Sequence, residues 1–338
     1  VAGAKLGAGV TRLEDPSRHR TVTVADFAGA ADALECRAMD EQFCDVGRGV
    51  TLCYETFGSP ADPPLLLIMG LGMQMIGWHE DFCEQLVAEG FYVVRFDNRD
   101  AGRSTHFPGR PPTQAQLLTR RVEPVDYRLA DMADDAAALL EQLELTPAHV
   151  VGASMGGMIA QTLAARHPDS VQSLVSIMSN TGNRWRGQPA LGVYRHMLRR
   201  APNQREAYIE HIAALFEVIG SPGFPKDVDY VRERAARSFD RDHDAAATGR
   251  QLAAIIASGD RTAELRRVVA PTLVIHGTKD RLVAPSGGRA TTRAIPGARL
   301  LKIEGMGHDL PRGAWPQIVS AISAHARQSG RATEPSGV

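Results

Sequence analysis

The chain has 338 residues, of which 43% are hydrophobic and 23% charged, and its formal net charge is −1. That balance is ordinary globular usage; it offers no global field for nucleic acid and includes no apolar run long enough to span a bilayer. Four cysteines (Cys36, Cys44, Cys53 and Cys83) fit no zinc spacing and form no disulfide framework in a chain of this size.

Residues 1–40 mix small, polar and charged residues, which predicts a loosely ordered N-terminal extension. No apolar h-region follows the first residues, and Glu35 directly before Cys36 does not suit a lipidation site. The expected location is therefore cytoplasmic. From Val50 the pattern turns regular. Val50 to Phe57 alternates with period two, as a half-buried strand does, and Pro64 to Met69 is a continuous apolar run suited to a buried parallel strand. An amphipathic helix over His79–Val87, a strand over Phe91–Phe96 and a helix over Asp131–Leu145 come next. Ala148–Val151 predicts a strand and Met158–Ala165 a helix, followed by strands at Val171–Met178, Pro271–His276 and Ala298–Ile303. A last helix spans Trp315–Arg327.

Alternating strands and helices predict an α/β fold with a mostly parallel sheet covered by helices. The rhythm breaks from 181 to 267, where only helical patterns such as Ala207–Val218 and Val228–Ser238 occur. This stretch is expected to be a helical cap over the edge of the sheet where α/β folds bind ligands. The core would then be 41–180 and 268–328, with a flexible tail at 329–338.

Gly152-Ala153-Ser154-Met155-Gly156, set between a strand and a helix, has the form of a nucleophile elbow. Its glycines are expected to spare the serine the crowding of a Cβ. A serine hydroxyl needs a base to take its proton and an acid to orient that base. Asp280 and His308 each follow a predicted strand, and the order serine, acid, histidine makes Ser154, Asp280 and His308 the expected catalytic residues. His276, only four residues before Asp280, suits a pocket-lining or structural role better than that of the base. The oxyanion needs preorganised N–H donors, for which Met155 and Leu71, in the Gly-rich loop Met69-Gly70-Leu71-Gly72, are the candidates. A dinucleotide loop fails here, because Met75 stands where the third glycine would be. No metal site and no cofactor is expected.

These motifs, with Asp97-Asn98-Arg99-Asp100-Ala101-Gly102-Arg103-Ser104 and Gly305-Met306-Gly307-His308, resemble the α/β-hydrolase superfamily over residues 41 to 328. In particular the chain looks like bacterial serine esterases and lipases similar to aclacinomycin methylesterase and proline iminopeptidase. The resemblance implies an α/β-hydrolase fold with a helical cap and acyl-enzyme chemistry without a cofactor. Many relatives have His-Gly where this chain has Met69-Gly70, so that histidine's support of the loop is absent. The segment from Asp97 is expected to be a structural turn beside the pocket.

Gly70, Met73, Met75 and Met306 are the expected substrate-binding residues, since methionine gives an adaptable apolar wall for acyl chains or bulky esters; the alternative is that several of the methionines are ordinary core residues. From Thr181 to Arg205 there is no acid, while Arg184, Arg186, Arg195, Arg199, Arg200 and Arg205 are interleaved with Trp185 and Tyr194. Peripheral contact with an anionic membrane through the cap is one reading and a solvated helix face the other. The expectation is a hydrolase of carboxylic esters or thioesters acting on a small-molecule or lipid substrate. An aminopeptidase would need a cap carboxylate such as Glu206, Glu210 or Glu217 for the substrate amine. A catalytically silent ligand-binding protein would share the fold, and a perhydrolase or haloperoxidase would share the triad as well.

Overall fold

The computed structural model describes residues 41–193 and 201–331. Eight strands form one sheet: β1 (Gln42–Asp45), β2 (Thr51–Phe57), β3 (Pro64–Ile68), β4 (Tyr92–Phe96), β5 (Ala148–Ala153), β6 (Val171–Ile177), β7 (Thr272–Gly277) and β8 (Arg299–Ile303). Their order across the sheet is β1-β2-β4-β3-β5-β6-β7-β8. β2 pairs antiparallel with β1 and with β4, and every other pairing is parallel. β1 lies outside the predicted strands. It is four residues long and mostly exposed at the sheet edge, so no apolar alternation announces it.

The helices are α1 (Glu80–Ala88), α2 (Gln114–Thr119), α3 (Leu129–Gln142), α4 (Met155–Arg166), α5 (Arg205–Ile219), α6 (Val228–Arg241), α7 (Ala247–Ser258), α8 (Thr262–Leu265), α9 (Ser286–Ala294) and α10 (Trp315–Arg331). β3 is buried from Leu65 to Ile68 because both faces of the sheet are covered. Leu66, Ile68, Val150 and Leu174 pack on Met132, Leu139, Leu140, Ile159 and Leu163 of α3 and α4. Leu65 and Leu67 alternate to the opposite face, where α1 and α10 pack together. Among the described residues, α5 to α8 and a helical turn at 191–193 lie between β6 and β7, with no strand among them. The expected extension at 1–40 lies outside the described residues. The tail does so from 332 on, and α10 continues through Ser329 and Gly330, past the predicted end of the core at 328.

The chain leaves β3 toward one side of the sheet and returns at β5 on its other side, so a crevice opens at the C-terminal ends of β3 and β5. Met69–Gly72 follows β3 and Ser154 follows β5. Topology alone brings the Gly-rich loop to the serine.

Candidate active site

Ser154 sits between β5 and α4 with φ 56° and ψ −118°, a conformation that side chains rarely adopt. Its N–H is held by the Ile177 carbonyl at 2.9 Å. The two flanking glycines have a different purpose from the one their sequence suggests. A Cβ on Gly152 would overlap the Gly156 carbonyl, and one on Gly156 would overlap the Ile68 carbonyl of β3. They let strand, turn and helix approach each other, which holds the serine in its strained turn. Gly70 is the glycine that meets the serine: a Cβ there would lie 3.0 Å from the Ser154 Cβ.

The structure brings Ser154, His308 and Asp280 together. The Asp280 carboxylate can only accept, so His308 Nδ1 donates to Asp280 Oδ2 (2.8 Å), leaving Nε2 to accept from the Ser154 hydroxyl (2.9 Å). Asp280 Oδ1 is fixed by the N–H groups of Leu282 (2.9 Å) and Val283 (2.8 Å). Burial pushes the Asp280 carboxyl upward, but the charge and hydrogen bond of His308, joined by those of His276, outweigh it and hold the group at about 2. The loop carrying His308 is tied down by its own N–H on the Ile219 carbonyl (2.7 Å) and by Gly307 N–H on Ser221 Oγ (2.8 Å).

His276 is structural. It is 1% exposed and does not line the cavity; its Nε2 donates to the Val283 carbonyl at 2.8 Å and lies 3.4 Å from Asp280 Oδ2. It therefore packs behind the acid and braces the Asp280–Val283 turn.

Met155 opens α4, and the first helical bond is made by Met158 N–H to Ser154 O, so Met155 N–H has no intrahelical acceptor. In the β3 loop, Gly72 N–H donates to Gln251 Oε1 (2.8 Å) and Met73 N–H to Gly70 O (3.2 Å). Leu71 directly precedes Gly72, beside the glycine that touches Ser154, and both Leu71 and Met155 border the cavity.

That cavity is about 1080 Å³ and opens from Ser154 and His308. Gly70 and Met73 line it, with Met69, Met155, Met158 and Met178. Met75 and Met306 do not. Met75 is fully buried with Cys53 and Ile76, because the turn at Met75–Gly77 points it into the core, and its N–H donates to Asp97 Oδ1. Met306 is also fully buried, under the His308 loop, where its carbonyl accepts from Lys279 N–H. Both expectations are corrected: these are core residues. Trp78, Phe82, Tyr208, Phe216, Tyr230 and Trp315 supply the aromatic part of the wall.

Of the three glutamates considered on α5, Glu206 and Glu210 do not line the cavity, and Glu210 is paired with Arg232 (3.0 Å). Glu217 reaches the wall and is ion-paired with Lys226. Arg205 pairs with Asp240 (2.7 Å), while Tyr194, Arg195, Arg199 and Arg200 lie outside the described residues.

The segment after β4 is the anchor for the helices above the sheet. Arg241 of α6 reaches Asp97 (2.9 Å) and Glu41 (2.8 Å), and Arg250 of α7 binds Asp100 through both Nε (2.9 Å) and Nη2 (2.6 Å). Asp97 is fully buried, and that burial raises its pKa despite the opposing charge and hydrogen bond of Arg241. Arg250 also binds Asp244 (2.5 Å), so the cluster of Asp100, His106 and Asp244 already contains a cation. Gln251 joins the α7 helix to the β3 loop by accepting from Gly72 while donating to the Arg99 carbonyl (2.9 Å). Sequence reasoning missed Arg241, Arg250 and Gln251, since no local motif marks a clamp made across such separations.

A doubly covered sheet with a strained serine turn, a histidine and an aspartate at its C-terminal edge defines a protein of the α/β-hydrolase class. The family described as alpha/beta hydrolase fold matches residues 63–311, and the chain belongs to it. It is similar to rhodomycin D methylesterase DnrP of Streptomyces peucetius, at 31% identity over 82% of this chain and 95% of that protein. Rhodomycin D methylesterase DauP of Streptomyces sp. strain C5 is 30% identical over the same shares. Among solved structures, a thermophilic esterase from Thermogutta terrifontis superposes with a TM-score of 0.65 at 22% identity, covering 86% of this chain and 99% of that one. At that identity the likeness is one of fold. No helix of the described residues is long and apolar enough to cross a membrane.

Proposed function

We propose that the protein is a carboxylic ester hydrolase in which Ser154 is the nucleophile. The observation that carries this reading is the hydrogen-bonded series Ser154–His308–Asp280 at one end of a large apolar cavity. His308 takes the Ser154 proton as the oxygen attacks the ester carbonyl. The N–H groups of Met155 and Leu71 receive the oxyanion, and Asp280 keeps His308 in the tautomer that leaves Nε2 free to accept. His308 then protonates the departing alcohol, and water cleaves the acyl-enzyme by the reverse proton path. No step needs a cofactor.

The relatives DnrP and DauP are by name methylesterases. A methanol leaving group needs almost no room, whereas a cavity of about 1080 Å³ accommodates a ligand at or above ordinary drug size. The substrate is therefore a small-alkyl ester of a bulky, largely apolar acid, with the acid part filling the space between Met73, Met158 and the aromatic wall. Thioesters would follow the same route with a thiol leaving group. Ser154→Ala should abolish turnover of p-nitrophenyl esters and labelling by a fluorophosphonate while circular dichroism stays unchanged. Full labelling of that variant would place the nucleophile elsewhere.

A further inference from the structure

The mouth of the cavity carries side chains that the ester chemistry does not use. On one side α2 presents Leu118, 73% exposed, followed by Arg120 and Arg121. On the other, the loop after β6 presents Trp185, 74% exposed, between Arg184 and Arg186. Leu118, Arg120, Arg184 and Trp185 all border the opening. Both strips rest on α7. Pro111, just before α2, packs so closely on Gly249 that a Cβ there would lie 2.6 Å away, and Gly182 sits against Gly259 at the end of the helix.

Among the described residues, none of Arg120, Arg121, Arg184 and Arg186 is in an ion pair with an acid. Two acids close to them in sequence are engaged elsewhere: Asp260 accepts from Asn183 (2.8 Å) and from Thr262, and Glu123 is paired with Arg128. The Arg184 guanidinium lies over the Trp185 ring at 4.8 Å, which presents charge and aromatic surface together. A tryptophan and a leucine held in water, beside four arginines with no acidic partner among the described residues, match one environment on both counts. The interfacial zone of a bilayer accepts the apolar side chains, and anionic headgroups face the guanidinium groups. An acidic protein surface would match the charge alone.

We propose that this rim docks on an anionic lipid bilayer, holding the cavity mouth at the membrane so that lipophilic esters pass directly from bilayer to cavity. The delivery step rests on the ester-hydrolase reading. The docking does not, and sedimentation detects it without turnover. The full chain is spun with vesicles of phosphatidylcholine alone and of phosphatidylcholine mixed with phosphatidylglycerol. Binding to the mixed vesicles should be stronger by roughly tenfold or more, and should weaken as salt is raised. Arg184→Glu with Arg186→Glu, and separately Leu118→Ser with Trp185→Ser, should each lower it by roughly tenfold. All four side chains are exposed, so thermal unfolding should not move and will confirm that the variants are folded. Equal sedimentation with both vesicle types overturns the proposal, as does binding that neither pair of substitutions reduces. Retention on immobilised polyglutamate without vesicle binding would assign the cations to an acidic protein and overturn it too.

Discussion

Asp280→Asn separates the two roles that the geometry gives this residue. The amide oxygen can still accept from Leu282 and Val283 N–H, so the turn should survive. The amide NH2 then faces His308 Nδ1, donor against donor, and the imidazole must move its proton to Nε2, where it can no longer accept from Ser154. The expected fall in kcat is about 10,000-fold, the scale of losing the correct tautomer in a serine triad. Stability changes as well. The folded carboxyl sits at about 2 against an ordinary value of 3.8, which corresponds to about 2 kcal/mol in mildly acidic solution. Because the folded pKa is the lower one, this contribution is complete above the unfolded value and is lost as pH falls from about 4 toward 2. Urea unfolding of wild type and variant should therefore differ by about 2 kcal/mol at pH 5 and by roughly half as much at pH 3. A variant that keeps kcat within tenfold, or a stability gap that does not shrink between those pH values, would refute the reasoning.

The remaining expectations concern packing and the clamp. Met75→Ala should cost about 2–5 kcal/mol by opening a hole in the core, whereas Met73→Ala should cost far less and shift the preferred size of the ester; chain-length profiles beside urea curves test the pair, and reversed effects would contradict a cavity wall that includes Met73 and leaves out Met75. Arg241→Met leaves the fully buried Asp97 without its cation and should destabilise by about 3–5 kcal/mol; Asp97→Asn in the same chain should recover part of that loss. Additive losses in urea unfolding would mean that the two side chains do not act as a pair. Gly156→Ala should greatly lower thermal stability, since its Cβ would meet the Ile68 and Met69 carbonyls, which are backbone and cannot swing away.

What could be read from the sequence was whatever chemistry is written locally. The serine turn needs small residues within a few positions on either side, and Asp280 and His308 each follow directly on a strand whose apolar run is visible. Parallel topology then brings these strand ends to one edge. Met73 and Met75 show where local reading stops. They are two residues apart in the same loop, and only the tight turn at Met75–Gly77 decides that one side chain meets the cavity and the other Cys53. The Asp97 segment shows the same limit at longer range. Its glycines and charges mark it as a turn, but its partners lie on helices far along the chain: 144 residues separate Arg241 from Asp97, and 179 separate Gln251 from Gly72. Nothing in a single sequence links such positions. Their effect reaches the cavity wall, because Gln251 engages the N–H next to Leu71, and Leu71 borders the cavity. The helices between β6 and β7 thus do more than wall the cavity; through α7 they help to set the loop proposed to receive the oxyanion.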